Sequence, residues 1–326
     1  MIKPCRFREM LLRSSLLPPL AVAAVFVAGI FLGSHLLDWN CFHAAWWSDP
    51  IFRLRLVRML GALTVGAGLA VSGTVFQAVL RNPLAEPFTL GLSGGAGVGA
   101  ALAFVLGLRA WSIYAVPLMA LAGALAILTV VLLVARKADW GHESLLLSGV
   151  ISGTVASSIL VYILSVADND QLAGVTWWML GDLQAVDLDF LLPGMAVLAA
   201  ALLLLRIWAG HLNALALGDE NAWVLGVDYR IFSVVFIVIA ALLAATTVAM
   251  AGLIAFVGLV IPHMVRRLYG CDHRRIIALA AWYGGGFLML CDIVSRSITP
   301  AREIPIGVIT ALIGGPLFLK LLTARR

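Results

Sequence analysis

Charge is scarce in this sequence: Asp, Glu, Lys and Arg supply 12% of its 326 residues, about half the share of a soluble domain. A water-soluble globule of that length could not cover itself with so few polar groups, so lipid must be the solvent for most of its exterior. Lysine is scarcer still. Only Lys3, Lys137 and Lys320 occur, none in a GxxxxGK[ST] string, which excludes the usual phosphate cradle for ATP. Cys5, Cys41, Cys271 and Cys291 show no CxxC spacing and no disulfide framework, and read as structural fillers. HExxH and paired intramembrane carboxylates are also missing. The chain therefore reads as a transport subunit rather than an enzyme, with no catalytic residue, metal site or bound cofactor. Few charges fall deep inside its apolar runs. That argues against a proton-coupled carrier, which relays protons through buried Asp, Glu or His.

Apolar runs are what the sequence has in abundance, with 62% of its residues hydrophobic. No Asp, Glu, Lys or Arg occurs in 59–80, 87–108, 110–135, 144–167 or 231–265. A membrane span needs roughly 20 residues at 1.5 Å rise. The last run would reach about 52 Å as one helix, so it must hold two spans, broken near 249–252. Shorter uncharged cores lie at 190–205, 276–291 and 304–319, and 16–37 makes the first span. The expectation is an all-α integral membrane protein forming one permease domain over residues 1–326. Its ten spans fall near 15–36, 57–80, 89–108, 112–135, 144–166, 188–208, 230–249, 252–269, 275–296 and 304–323. The stretch 172–183 is too short and polar to cross, and reads as a short outer helix. Lys3, Arg6, Arg8 and Arg13 ahead of the first run look like a signal-peptide flank. Ser34-His35-Leu36 offers no small-residue cleavage site, so a retained first helix is expected.

With both termini in the cytoplasm, sixteen of the 22 Lys and Arg residues face inward, as the positive-inside rule favours. The six facing out are Arg53, Arg55, Arg58, Arg109, Arg296 and Arg302. An even number of crossings satisfies this placement. The net charge of +5 reflects the same bias, not a nucleic-acid surface.

Several local patterns admit two readings. Asn82-Pro83-Leu84-Ala85-Glu86-Pro87 discourages a helix between its prolines and leads into the glycine-rich 91–99. It is either a tight turn before a small-residue packing helix or irregular backbone lining a cavity. The polar interruption 214–228 reads as two short helices hinged at Gly218, with Asp219 capping the second and Gly226 closing it. It is a docking surface or an ordinary connection. Arg55, Arg58 and Arg296 oppose the inside bias, so they either snorkel at helix ends or await an acidic partner. Asp292, four residues before Arg296, is placed for a local ion pair. His142 and Glu143 open the fifth span as a gate or as a solvated helix start. Trp177 and Trp178 read as interface anchors or, less simply, as ligand contacts.

Taken in order, certain strings resemble the FecCD family of ABC-importer permeases over nearly the whole chain. They are Arg55-Leu-Val-Arg58, Val65 to Gly73, Asn82 to Gly99, Ala216-Leu-Gly-Asp-Glu220, Gly258 to His263, Asp292 to Arg296 and Glu303-Ile-Pro-Ile-Gly307. The family carries iron–siderophore complexes, haem or cobalamin, with the vitamin B12 permease among its members. The resemblance implies the type II ABC importer permease fold in a bacterial inner membrane. It implies a second copy of the chain, two cytoplasmic ABC ATPases that use ATP and Mg, and a periplasmic or lipid-anchored substrate-binding protein. The binding protein would dock on Arg55, Arg58 and Arg296. Coupling to the ATPase would fall on Leu215, Leu217, Gly218, Asp219, Glu220 and Leu225. Cytoplasmic gating would fall on Asn82, Pro83 and Leu84 and on His142 and Glu143, where the vitamin B12 permease carries small hydroxyl residues. Spans two to five and seven to ten would be related by inverted pseudo-symmetry, and substrate would pass along the dimer axis between the fifth and tenth. Trp178-x-x-Gly181-x-Leu183 matches a string of iron-chelate members and favours a ferric siderophore over haem or cobalamin. A stand-alone channel or secondary carrier and an intramembrane enzyme are the rival classes; transport or turnover by the chain alone would favour them.

Overall fold

The computed structural model describes residues 17–32, 49–138, 140–184, 186–298 and 303–323. Lys3, Arg6, Arg8, Arg13, Cys5, Cys41 and Arg302 lie outside that set, as does the side chain of His142. All regular structure among the described residues is helical. Its helices are α1 (Leu17–Phe31), α2 (Pro50–Val79), α3 (Leu92–Val105), α4 (Ala115–Lys137), α5 (His142–Ser165), α6 (Asn169–Met179) and α7 (Leu188–Ile207). They continue with α8 (Ala209–Ala216), α9 (Asp219–Val224), α10 (Tyr229–Ala251), α11 (Val257–Tyr269), α12 (His273–Ile298) and α13 (Ile306–Thr323). Each of the ten expected spans contains one of these helices. Six of them, α2, α4, α5, α7, α10 and α12, are long and apolar enough to cross a membrane. The chain is a multi-pass membrane protein.

The axis of the molecule is α2, starting seven residues earlier than the expected span. Asp49 explains the early start: its carboxylate accepts the Ile51 N–H at 2.8 Å, and Pro50 supplies a preset first-turn φ. From there α2 packs along α12, α10 and α11. Gly66 and Gly284 make the α2–α12 contact possible, since a methyl on either would strike the other's carbonyl oxygen. Small residues at crossings are how helices approach closely in lipid.

Two spans are shorter than expected, for local reasons. The third expected span, 89–108, holds α3 over Leu92–Val105 only. Gly91 at φ 76° separates it from a 3₁₀ turn at Pro87–Leu90, and Gly107 at φ 66° follows its end. The eighth, 252–269, starts as helix only at Val257. Gly252 and Phe256 both have positive φ, 70° and 69°, and residues 252–255 have no regular structure. Such backbone survives in a membrane only when buried in protein. Here the Asp182 N–H donates to the Ala251 carbonyl at 2.9 Å, while Gly307 and Ile306 N–H groups donate to Leu180 and Gly181 at 3.0 and 3.3 Å. The α6–α7 linker, the α10–α11 break and the start of α13 thus form one backbone seam.

Candidate functional site

At one end of the bundle, α2 and α12 place two arginines, Arg58 and Arg296, around a single carboxylate, with Arg55 as a third nearby. Arg58 Nε meets Asp292 Oδ1 at 2.5 Å, and Arg58 Nη1 meets Glu303 Oε2 at 2.7 Å. Arg296 Nε lies 3.0 Å from Asp292 Oδ2, the i,i+4 pair that the spacing predicts. Arg296 Nη2 also donates to the Gly29 carbonyl at 2.5 Å. Arg55 Nη1 donates to the Ile30 and Phe31 carbonyls at 3.0 and 3.2 Å. These are the last carbonyls of α1, which no further helical turn can satisfy, and cations are favoured at that dipole end. Arg55 and Arg296 are therefore buried, at 8% and 4% exposure, and Asp292 is fully buried. Arg58 keeps 13% of its side chain accessible and Glu303 keeps 37%. Burial alone would raise the Glu303 carboxyl, but hydrogen bonds from Gln184 and Arg58 and the Arg58 charge outweigh it and hold the group below its usual range.

A pocket of about 390 Å³ opens beside Arg58 and Glu303, edged by Trp177, Asp182 and Gln184. A neighbouring one of about 480 Å³ is edged by Trp177, Trp178 and Arg109. Trp177 is exposed and lines both. Gly181 and Leu183 also border the first pocket, and both pack inward as well. Gly181 has φ 79° and sits against the 251–254 backbone, while Leu183 is buried.

At the opposite end the interruption 214–228 folds as the elbow its composition predicts. Gly218, at φ 108°, separates α8 from α9, and a methyl there would come within 2.9 Å of Arg81 Nη1. Gly226 closes α9, where the Val227 N–H reaches the Ala222 carbonyl and the Gly226 N–H that of Trp223, both at 2.9 Å. Asp219 departs from expectation. It makes no cap bond, because Gly218 occupies the cap position; its carboxylate instead meets Arg81 Nη2 at 3.0 Å.

Arg81 directly precedes the Asn-Pro loop. Asn82 Oδ1 accepts the Leu84 N–H at 2.9 Å, closing a tight turn, the first of the two readings of this loop. The loop and the start of α5 face each other across an open pocket of about 600 Å³ lined by Arg81, Asn82, Glu143 and Ser144. Pro83 and Leu84 are exposed beside it. Both expected gate segments are thus brought together and tied by Arg81 to the elbow. Glu86, farther along the loop, is pushed up to about 7 by burial.

Among the expected coupling residues, Leu215 is buried and anchors α8, whereas Leu217, Glu220 and Leu225 are exposed. Trp223 and Val224, which sequence reasoning did not single out, are more open than Leu217 and Leu225, at 76% and 84%. An apolar triplet inside a polar segment was the available signal. Arg81 had none beyond adjacency to the motif.

The fold, the elbow and the paired loops agree with what comparison returns: the FecCD transport family matches residues 20–324. The chain belongs to the FecCD transport family. It is an ABC-importer permease. The vitamin B12 import system permease BtuC of Yersinia enterocolitica is 40% identical over 283 residues, covering 85% of this chain and 84% of that one. The ABC transporter permease YvrB of Bacillus subtilis is 37% identical over 283 residues, covering 84% and 80%. A solved transporter assigned to the metal-chelate ABC type, in an inward-facing conformation, superimposes with a TM-score of 0.84 at 30% identity. It covers 94% of this chain and 97% of its own.

Proposed function

We propose that the permease works as a homodimer on two cytoplasmic ABC ATPases, in an inner membrane with both termini inside, and imports a metal chelate delivered by a binding protein. The observation that carries this reading is the exposed apolar triplet Trp223, Val224 and Leu225, at the end of the molecule where the positive-inside bias puts the cytoplasm. Lipid does not cover a surface beyond the span ends, so such a patch marks a protein contact. ATP and its Mg are used by the ATPase, whose nucleotide-dependent closure moves the elbow about Gly218. Arg81 passes that motion from Asp219 to the Asn82 loop, which faces Glu143. Two states with different ATPase contacts supply the differential affinity that alternating access requires. Of the three arginines, Arg58 with Glu303 is the pair that keeps surface for the binding protein; Arg55 and Arg296 hold α1 beneath it.

The cargo reading shifts from the siderophore toward cobalamin. Gly181 and Leu183 of the Trp178–Leu183 string have packing roles of their own, and relatives at 38–40% identity are vitamin B12 permeases. A ferric siderophore is the alternative. Native mass measurement of the chain purified from its own membrane tests the assembly: two copies with two ATPases are expected, and a chain that emerges alone after cross-linking overturns it. Uptake of cobalamin against ferric siderophore by that complex in vesicles then decides the cargo.

A further inference from the structure

A groove of about 260 Å³ runs between α7 and α12, floored by α2. Leu198 and Leu202 form one wall, Ile277, Ala278 and Trp282 the other, and Ala67 keeps the floor low. Two charged side chains close one end. Arg206 comes from the last turn of α7 and Arg274 from the first turn of α12, so both stand where two helices leave the membrane. Both are exposed, and neither makes an ion pair among the described residues. The nearby Asp272 carboxylate is occupied by Asn213 and by the Arg274 backbone N–H.

An apolar slot ending in two unpaired guanidiniums at membrane-surface level has the polarity of a phospholipid in reverse. A free anion would meet the arginines and leave the slot empty. A neutral lipid would fill the slot and leave the arginines to Asp272, whose one carboxylate already serves Asn213 and the Arg274 backbone and stands beside Arg275 as well. We propose that this groove binds an anionic phospholipid, its acyl chain along Leu202 and Trp282 and its phosphate held by Arg206 and Arg274. Tails gain little by leaving bulk lipid, so selectivity comes from the headgroup. It amounts to about five-fold per arginine and roughly thirty-fold for the pair.

The test is native mass spectrometry of the full chain purified in mild detergent with equal amounts of phosphatidylglycerol and phosphatidylcholine. The unaltered chain should retain phosphatidylglycerol by roughly thirty-fold, and excess inorganic phosphate should not displace it. R206Q/R274Q should bring the ratio near unity. A278F, which fills the groove and spares the arginines, should release the retained copy. Melting temperatures check that both variants, made at exposed positions, stay folded. Equal retention of the two lipids by the unaltered chain, an undiminished preference in either folded variant, or displacement by phosphate alone overturns the proposal.

Discussion

At the arginine end, Arg55, Arg296 and Asp292 lie inside the protein with partners within hydrogen-bond or ion-pair reach. At the elbow end, Trp223, Val224 and Leu225 lie outside it with most of their surface left uncovered by the chain itself. The first arrangement inverts the usual rule by burying charge; the second inverts it by exposing hydrophobic groups. Buried charge with every partner in place resists rearrangement, because moving any member strands another. Exposed apolar surface waits for something to cover it. One end is therefore built to hold its geometry, the other to be handled by a partner.

Breaking the buried cluster should have the largest effect. D292A leaves Arg58 and Arg296 without their shared carboxylate, at a cost of about 3–5 kcal/mol. It should lower the melting temperature and the yield of folded chain. At the other end, W223A should leave the melting temperature unchanged while weakening ATPase binding by at least about ten-fold, as loss of a central aromatic contact does. A titration of labelled ATPase against the reconstituted permease reads it.

Glu86 offers a pH-dependent probe. Its carboxyl is raised to about 7 by burial, so between its unfolded value and 7 the native state keeps a proton that the unfolded chain has lost. Stability falls as pH rises through that window and levels off above it. E86Q should therefore stabilise the protein at pH 8, by something on the order of 2 kcal/mol, and bring no gain at pH 4.5. The smallest stability effect belongs to the exposed Arg81–Asp219 pair, worth less than about 1 kcal/mol. R81A should nevertheless reduce substrate-stimulated ATP hydrolysis by the assembled importer, because it severs the elbow from the Asn82 loop. If R81A leaves that stimulation intact, the elbow end communicates by another route.

How legible these features are from sequence follows from the range of the forces involved. Spans are legible because desolvation acts on every residue of a run, and the uncharged stretches mark them directly. The elbow is legible because Gly218 and Gly226 occupy conformations that favour glycine. The orientation of the arginines is not legible. Arg296 at a helix end reads alike whether it snorkels, docks or caps, and its carbonyl partner at Gly29 lies 267 positions away. The break at 252–256 is half legible: Gly252 announces itself, but a phenylalanine at φ 69° has no sequence signature and is held there by its surroundings. Arg81 shows the same limit, since its partner lies 138 residues downstream.

The backbone seam bears on the order of synthesis. The Leu180 and Gly181 carbonyls reach the membrane roughly 125 residues before the Gly307 and Ile306 amides that will bind them. At about 5–20 residues per second, the wait is on the order of 6–25 s. During that time two polar groups must be sheltered by water, by the insertion machinery or by temporary neighbours. α13 is thus a latch, and a nascent chain stalled before it would be open at its middle.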